Sequence, residues 1–305
     1  FPDVPLDEFA PSLVVKVGLQ FNQKQIMSSD KSLYLVTFSV VVYKQPVDEI
    51  ERVVRSLLLY ANKKVIYIID NSPCMVVQNL CHLSKCIVLK HFPKNIGFGQ
   101  AHNWAISEAK KKGSKYHFVV NPDIFYSKDA VLPMVKFMEH NQEVGEMMPK
   151  ILYPNGRTQF LPKLMPSPLM LAQRKLSQFF PAVRSRWMKR FEMRQMSDDK
   201  VYDIGHVSGS FAAFRMKALD DCGTFDSRFF LYFEDTDISR RIHKKYRTIY
   251  YPLVAVYHDY GNGASKSPKL FSIFIMSLIK FFNKWGWFFD DERKICNNKF
   301  LAQLQ

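Results

Sequence analysis

Two hydrophobic periods alternate along the chain from residue 32 onward. Continuous apolar and β-branched runs predict buried strands, and apolar residues spaced three and four positions apart predict amphipathic helices. The segments with these patterns are strand 32–43, helix 47–61, strand 64–72, strand 85–92, helix 105–113 and strand 116–123. Strands and helices in this order are typical of an α/β sheet with helices on its faces.

Polar residues gather where these strands end. They are Tyr43, then Asp70 with Asn71 and Ser72, then Asn95 to Gly99, and finally Asn121 with Asp123. Each group by itself is also typical of a turn. The Gly97-x-Gly99 pair lacks the third glycine of a dinucleotide fingerprint, so it supports NAD binding only weakly. Because ligands of α/β sheets bind at the carboxyl ends of the strands, the shared position of the four groups predicts one ligand crevice.

The chain changes character between residues 151 and 195, where prolines, aromatic residues and arginines replace the strand patterns. One interpretation is a surface-lying segment that meets an anionic partner, and another is a solvated helix face. A nucleic acid would be such a partner, since arginines contact phosphates and Phe179, Phe180 or Trp187 could stack on bases.

The composition fits one enzyme-sized globular unit, because 47% of the 305 residues are hydrophobic and no repeat interrupts them. The formal net charge of +15 attracts nucleic acid, anionic lipid headgroups or phosphorylated substrates without choosing among them. The five cysteines include no Cys-x-x-Cys pair, which disfavours a disulfide framework or a zinc site and favours reduced thiols in a cytosolic protein. The longest apolar runs, 34–43 and 270–279, are shorter than a membrane-spanning helix, and no signal peptide is visible.

The segment "FFLYFEDTDISRRI" (229–242) places three carboxylates directly behind an aromatic run. Acidic residues favour the first turn of a helix, where free backbone N–H groups and the helix dipole attract negative charge. Asp237 and Arg241 are also spaced for an ion pair on one helix face. A helix start is therefore sufficient to explain this segment by itself.

Five motifs, taken in order, resemble the family 2 glycosyltransferases of GT-A fold. They are "DNS" (70–72), "NIGFGQAHNWAI" (95–106), "NPDI" (121–124), "SGSFAAFR" (208–215) and "GTFDSRFFLYFEDTDISRRI" (223–242). The likeness is greatest to the bacterial rhamnosyltransferase branch, which builds O-antigen and capsule polysaccharides. It implies a Rossmann-like α/β fold, with a mostly parallel sheet flanked by helices and a C-terminal helical region on the acceptor side.

The resemblance also suggests how the chain is divided. Residues 1–31 lie outside it and form an extension of unknown role. We expect residues 32–150 to form the nucleotide-sugar-binding half, and residues 151–268 the acceptor-binding and catalytic half. Residues 269–305 form an amphipathic segment that either packs on the protein's own core or lies on a membrane surface.

The resemblance implies a nucleotide-sugar donor, whose departing diphosphate calls for a divalent cation, Mg²⁺ or Mn²⁺. Asp123 lies where the family's metal-binding Asp-x-Asp motif falls, with Asn121 in place of the first Asp. His258 matches a late histidine of the family and is the candidate second metal ligand. Asp70 matches the carboxylate that recognises a pyrimidine base. The implied donor contacts are Tyr43, Asn71, Asn95, Gly97 and Asn103.

For catalysis, the resemblance assigns the general base to Asp235, which would take the proton of the acceptor hydroxyl as that hydroxyl attacks the anomeric carbon. A single displacement of this kind inverts the anomeric configuration. The implied acceptor-side residues are Ser208, Gly209, Glu234 and Arg241. The branch favours dTDP-L-rhamnose as the donor, and a UDP-hexose is the alternative.

Members of this branch commonly extend glycans carried on undecaprenyl pyrophosphate. The expected partners are therefore a polyprenyl-pyrophosphate-linked saccharide and the anionic inner, cytoplasmic face of the bacterial plasma membrane. Residues suited to such a surface are Lys269, Lys280, Lys284, Trp285 and Trp287. A metal-dependent nucleic-acid enzyme is the alternative from another class, but it does not explain why Asp70, Asn95 and Asp123 follow successive strands.

Overall fold

The computed structural model of the protein describes residues 34–176, 189–259 and 267–304. The strands in these ranges are β1 (Val36–Val42), β2 (Lys64–Asp70), β3 (Ile87–His91), β4 (Tyr116–Val120), β5 (Ile124–Phe125), β6 (Val144–Leu152), β7 (Tyr202–Asp203), β8 (Phe211–Arg215) and β9 (Arg247–His258). The helices are α1 (Val47–Leu58), α2 (Phe98–Lys111), α3 (Val131–His140), α4 (Pro168–Leu176), α5 (Met216–Cys222), α6 (Glu234–His243), α7 (Pro268–Trp285) and α8 (Asp291–Ala302), with a 3₁₀ helix at Gln78–Leu83. The predictions for residues 1–31 and for residues 177–188 of the 151–195 segment, which include Phe179, Phe180 and Trp187, fall outside the described residues.

These strands belong to one sheet, in the order β3-β2-β1-β4-β8-β6-β9-β5, with β7 paired to β9. Strands β1 to β4 are parallel to one another, as the strand and helix rhythm predicts. β8 is antiparallel to both of its neighbours, β4 and β6, and β5 and β7 are antiparallel to β9. The α/β sheet is therefore mixed, because the chain re-enters it at β8 from the edge where β4 and β6 end.

This re-entry places two distant segments side by side at the carboxyl edge of the parallel strands. Phe211, the first residue of β8, pairs with Val120, the last residue of β4. The Asn121 N–H donates to the Ser210 carbonyl over 2.9 Å, which continues the pairing beyond the strands. The residues just before β8 thus lie beside those just after β4.

The core around β1 contains a buried polar network that links three elements. Ser39 Oγ on β1 lies 2.7 Å from His102 Nδ1 on α2 and 2.8 Å from His117 Nε2 on β4. Thr37 Oγ1 lies 2.8 Å from His117 Nδ1. Burial lowers the pKa of both histidines, that of His117 to about 3, so both rings are neutral at pH 7. Their hydrogen bonds therefore stabilise the core without placing a charge in it.

Helix α6 starts from a strained loop. Tyr232 and Phe233 have φ angles of 71° and 66°, in the left-handed region that bulky residues rarely adopt. The Phe98 N–H on α2 donates to the Phe230 carbonyl over 2.9 Å. The Phe233 ring packs against Phe281 on α7, with 5.2 Å between the ring centroids. α2 and α7 therefore hold the first turn of α6 in place.

A buried carboxylate, Asp237, fastens α6 to α7. It accepts hydrogen bonds from Arg241 Nε (2.9 Å) and Trp285 Nε1 (2.8 Å), and Lys284 Nζ lies 2.6 Å from it. The Asp237–Arg241 pair predicted from their spacing is thus present, as one part of a larger cluster between the two helices.

Helix α7 faces two environments. Phe281 and Phe282 on its inner face are buried against Phe229 and Phe233. The apolar residues exposed on the helix are Phe271, Ile275, Met276 and Ile279. No helix within the described ranges is long and apolar enough to cross a membrane. α7 thus packs on the protein's own core and also presents an apolar stripe.

Candidate active site

Two residues predicted to hold a metal ion lie together at the carboxyl edge of the sheet. β5 pairs with β9 so that Ile124 lies opposite His258, and the Asp259 N–H donates to the Asp123 carbonyl over 3.0 Å. Asp123 Oδ1 therefore lies 3.2 Å from His258 Nε2. The His258 side chain is 3% exposed and that of Asp123 is 24% exposed, so the carboxylate is the more accessible of the two.

The buried side chain of Gln159 orients His258. Gln159 Nε2 donates to the His258 carbonyl over 2.8 Å, so Gln159 Oε1, 3.0 Å from His258 Nδ1, is the acceptor for the ring. His258 Nδ1 then carries the proton, and the Nε2 lone pair faces Asp123. A neighbour that fixes the tautomer in this way is typical of metal-binding histidines.

This pair suits a divalent cation that a substrate helps to bind. Asp123 Oδ1 is buried and accepts no hydrogen bond within the described part of the chain. Sites that act on nucleotides commonly hold their cation with one or two side chains and complete its shell with substrate phosphates and water. No group of three His, Cys, Asp or Glu side chains suited to a metal occurs among the described residues. Asp123 and His258 would therefore share a cation, Mg²⁺ or Mn²⁺, with the substrate.

Asp70 shapes the loop after β2. Its buried carboxylate accepts the N–H groups of Ser72 (2.8 Å) and Val76 (2.7 Å). Contact between this carboxylate and a nucleobase would require the loop to open. Nearby, Asn71 Oδ1 is buried without a hydrogen-bond partner in the described chain, and Tyr43 is 42% exposed at the end of β1. Tyr43 is thus the exposed group at this part of the edge, whereas Asn71 is buried like Asp70.

Helix α2 begins earlier than the hydrophobic pattern predicts. Its start is formed by Asn95, Gly97 and Asn103. Asn95 Oδ1 accepts the Gly97 N–H over 2.9 Å. Gly97 has a φ of 92°, and a Cβ on it would lie 2.6 Å from the Phe230 carbonyl oxygen. Both ends of the Asn103 amide bond to the Phe225 backbone, at 2.7 and 2.9 Å. Asn103, predicted to line the donor, therefore holds α2 against the loop before α6 instead.

Asp235 is held by two backbone N–H groups at the start of α6. The Thr236 N–H donates to Oδ1 over 2.7 Å, and the Gly209 N–H donates to Oδ2 over 3.2 Å. A Cβ on Gly209 would lie 3.5 Å from that of Asp235, so these two backbones are close. Ser208 lies next to this contact, with its Oγ 3.0 Å from Ser210 Oγ. The Asp235 side chain is 24% exposed and is thus fixed in direction yet accessible to a substrate.

A cavity of about 310 Å³ adjoins Asp235. Its polar lining consists of Lys163, His206, Glu234, Asp235 and Thr236. The rest of the lining is mostly apolar and includes Leu171 from α4 and Phe274 from α7. The cavity can therefore receive a molecule with a polar end, placed against Asp235, and an apolar part.

Two buried carboxyl groups, Glu234 and Glu146, interact with Asp235. Burial, reinforced by the negative charge of Asp235, raises the pKa of each well above its usual value. Oε2 of Glu234 has no hydrogen-bond partner in the described chain, and a hydrogen bond from Ser239 only partly opposes the effect of burial on Glu146. Both side chains therefore favour the neutral, protonated form.

Arg241, predicted to lie on the acceptor side, is instead bonded to other parts of the chain. Its Nη1 donates to the Cys222 carbonyl and its Nη2 to the Thr224 carbonyl, both over 2.6 Å, while Nε bonds to Asp237. The guanidinium does not line the cavity beside Asp235. Because its donors are used by these partners, Arg241 holds the 222–224 turn against α6.

Two residues of the site, His206 and Gln159, have no local signal in the sequence. His206 lies two positions before Ser208, but nothing in that spacing connects it with Asp235. Gln159 lies in a stretch without a strand pattern. Their positions depend on contacts between segments that are far apart in the chain.

Comparison with known sequences identifies a family and a relative. Residues 37–223 match the sequence model of the family described as "Glycosyl transferase family 2". The chain is also 24% identical over 245 residues to an N-acetylglucosaminyl-diphospho-decaprenol L-rhamnosyltransferase of Mycobacterium tuberculosis, found in two strains. This match covers 75% of the present chain and 78% of the relative.

Solved structures share the fold at low identity. GalNAc-T7 with UDP, GalNAc and Mn²⁺ superposes with a TM-score of 0.61 at 15% identity, over 87% of this chain and 50% of its own. The present chain thus spans half the length of that protein. The mannosyltransferase PcManGT from Pyrobaculum calidifontis, in complex with GDP-Man and Mn²⁺, gives a TM-score of 0.52 at 15% identity, over 78% and 62% of the two chains.

These comparisons agree with the motifs and with the architecture. The central sheet flanked by helices is the GT-A type fold that the motif resemblance implies, and that prediction is confirmed. The family model covers more than half of the chain, including the residues from β1 to α5. The chain belongs to the family 2 glycosyltransferases.

Proposed function

We propose that the protein is an inverting glycosyltransferase that moves L-rhamnose from dTDP-L-rhamnose to a lipid-linked saccharide. The observation that carries this proposal is the placement of two acids on either side of the 208–210 segment. Asn121, two positions before Asp123, bonds to Ser210, and the neighbouring Gly209 donates to Asp235. A candidate cation site and a candidate proton acceptor are thereby connected through one short segment.

In the proposed reaction, the acceptor hydroxyl attacks the anomeric carbon while Asp235 removes its proton. The bond from the anomeric carbon to the diphosphate breaks as the glycosidic bond forms, so a β-linked donor yields an α-linked product. The N–H groups of Gly209 and Thr236 keep the carboxylate in place before the proton arrives. A divalent cation held by Asp123 and His258 would neutralise charge on the departing diphosphate.

The donor nucleotide is proposed to lie along the ends of β1 and β2. The exposed ring of Tyr43 offers a stacking surface. Asn71 Oδ1 is a buried acceptor without a partner in the described chain, so it would meet the donor only after its surroundings open. Asp70 would meet the base after its loop opens, and Asn95 and Gly97 would border the sugar. The Mn²⁺ in the GalNAc-T7 and PcManGT structures supports a divalent cation in this arrangement.

The proposed acceptor is a saccharide on a polyprenyl diphosphate, as needed for O-antigen or capsule synthesis. The name of the mycobacterial relative supports this class of acceptor. The mixed polar and apolar lining of the cavity beside Asp235 suits it as well. The apolar stripe on α7 suggests that the protein works at the anionic inner face of a bacterial plasma membrane.

A donor panel tests this proposal. The purified protein would be incubated with Mn²⁺, a short synthetic polyprenyl-diphospho-N-acetylglucosamine, and dTDP-L-rhamnose, UDP-glucose or UDP-N-acetylglucosamine in turn. Mass spectrometry should detect transfer from dTDP-L-rhamnose, and NMR should show an α-linkage. Transfer from a UDP-hexose alone would overturn the donor assignment, and a β-linked rhamnoside would overturn inversion.

A further inference from the structure

We propose that His206 and Asp235 form a pair that shares the proton removed from the acceptor hydroxyl. This inference rests on the proposed function, in which Asp235 is the base. His206 Nε2 lies 3.8 Å from Asp235 Oδ2, and both side chains line the same cavity. The His206 side chain is only 12% exposed, so little bulk water reaches the ring. Asp235 is an ionisable group close to it.

The hydrogen bonds around Thr236 assign the tautomer of His206. The Thr236 hydroxyl has a single proton, and we place this proton toward Asp235 Oδ1, a carboxylate oxygen 3.3 Å away that can only accept. His206 Nδ1, which lies 3.2 Å from the same hydroxyl oxygen, must then be the donor in that contact. His206 Nε2 is left with a lone pair, and this lone pair faces Asp235 Oδ2.

The hydrogen bond between His206 and Asp235 is absent before the reaction and can form after it. While Asp235 is an anion, two acceptors face each other across a distance longer than a hydrogen bond. In the reaction, the acceptor O–H bond breaks, the new C–O bond forms, and the electron pair of the donor C–O bond leaves with the diphosphate. The proton passes to Asp235 Oδ2, from which it can bond to or move onto His206 Nε2. His206 thereby stabilises the protonated state that catalysis produces.

The surroundings of His206 favour its neutral form, which can accept that proton. Burial lowers the pKa of His206, the negative charge of Asp235 opposes this, and the positive charge of Lys163 adds to the lowering. Glu234 on α6 also lines the cavity, and Glu146 on β6 interacts with Asp235. Since both glutamates favour the neutral form, the imidazole is the basic group beside Asp235 in this cluster.

Substitution of His206 tests this role through a readout that simple packing would not change. His206→Asn keeps a donor near Thr236 but removes the group at Nε2. We expect its kcat to fall by roughly tenfold or more with an unchanged KM for the donor. The acidic limb of its kcat–pH profile should also shift, because protonation of His206 no longer contributes.

Chemical rescue provides the second measurement. His206→Ala opens space beside the cavity, and added imidazole should raise its kcat severalfold by replacing the missing base. His140→Ala is the matched control, because His140 is exposed and bonds only to the Lys136 carbonyl of its own helix among the described contacts. Imidazole should not alter the activity of that variant.

Two outcomes would overturn the pair. One is a His206→Asn variant with the wild-type kcat and pH profile. The other is a His206→Ala variant that unfolds at the wild-type temperature, has lost activity and is not rescued. Full activity of Asp235→Asn is a separate result that would remove the base assignment, and with it the proposed function.

Discussion

His258 Nε2 lies 3.2 Å from Asp123 Oδ1, and Gln159 determines which ring nitrogen of His258 faces the carboxylate. The contact exists because β9 ends beside β5. The Gln159 side-chain amide also bonds to the His258 backbone, so it cannot flip without losing that bond. The candidate cation site thus consists of two proposed ligands and a third residue that orients one of them.

Removal of this orienting group should weaken cation binding without touching the two ligands. Gln159→Leu leaves His258 Nδ1 without its acceptor, and we expect Mn²⁺ to bind about 10- to 100-fold more weakly in the presence of dTDP. Asp123→Ala should abolish the effect of Mn²⁺ on dTDP affinity altogether. Calorimetry with and without Mn²⁺ measures both. Gln100→Leu, which changes an exposed glutamine, is the control, and equal Mn²⁺ affinity in wild type and Gln159→Leu would contradict the role of Gln159.

Asp235 and Glu234 should respond differently to the same chemical change. Asp235→Asn removes the proposed base, so kcat should fall by at least about 10²-fold while dTDP affinity persists. Glu234→Gln replaces a carboxyl that already favours its neutral form, because burial raises its pKa, and most of kcat should remain. Steady-state kinetics on both variants decides the matter. A larger loss in Glu234→Gln than in Asp235→Asn would reverse the assignment.

Glu146 should make stability depend on pH. Burial raises its pKa in the folded state, so the folded chain holds this proton more tightly than the unfolded chain. Its stabilising contribution is complete below the unfolded pKa and is lost as the pH rises through the folded pKa. Glu146→Gln should therefore flatten the decline in unfolding temperature as the pH rises above the usual pKa of a glutamate.

The apolar variant Glu146→Met also removes the titrating group and should show the same flattened pH dependence of the unfolding temperature. Asp291→Asn is the control, since the Asp291 side chain is 86% exposed. A wild-type pH slope in Glu146→Gln would show that Glu146 does not titrate in this range.

Gly97 and Gly113 should tolerate a side chain to different degrees. Both have positive φ, 92° and 69°, but a Cβ on Gly97 would meet the Phe230 carbonyl at 2.6 Å, whereas nothing lies within 4 Å of one on Gly113. Gly113→Ala should cost about 1–2 kcal/mol from conformation alone. Gly97→Ala should cost about 1–3 kcal/mol more and should lower kcat by displacing the loop before α6. Equal unfolding temperatures for the two variants would refute the contact.

The apolar stripe on α7 should mediate binding to anionic vesicles. A variant with Ile275→Asp, Met276→Asp and Ile279→Asp places charge on that stripe, and it should lose flotation with liposomes that contain phosphatidylglycerol. Leu59→Asp is the control, because Leu59 is 42% exposed at the end of α1, away from the stripe. Failure of the wild type to bind these vesicles would defeat the membrane proposal, and so would unchanged binding by the triple variant.

Much of the first half of the fold is visible in local patterns. Strands β1 to β4 and helix α1 follow from apolar runs and helical spacing, since side-chain burial in these elements repeats with the period of the element. The start of α2 at Phe98 is harder to see, because it depends on the turn in which Asn95 Oδ1 accepts the Gly97 N–H and on the close approach of Gly97 to Phe230. The acidic start of α6 and its Asp237–Arg241 pair are again local, because both lie within a few turns of one helix.

By itself, the sequence determined the α/β elements, the family motifs and the chemical types of the residues at the strand ends. Only the tertiary structure decided that Asp123 lies beside His258, that His206 lies near Asp235, and that Arg241 points away from the cavity beside Asp235. Neighbours within a helix or strand are set by its geometry. Contacts between β5 and β9, or between the 206–210 segment and α6, depend instead on how the whole chain pairs its strands and buries its core.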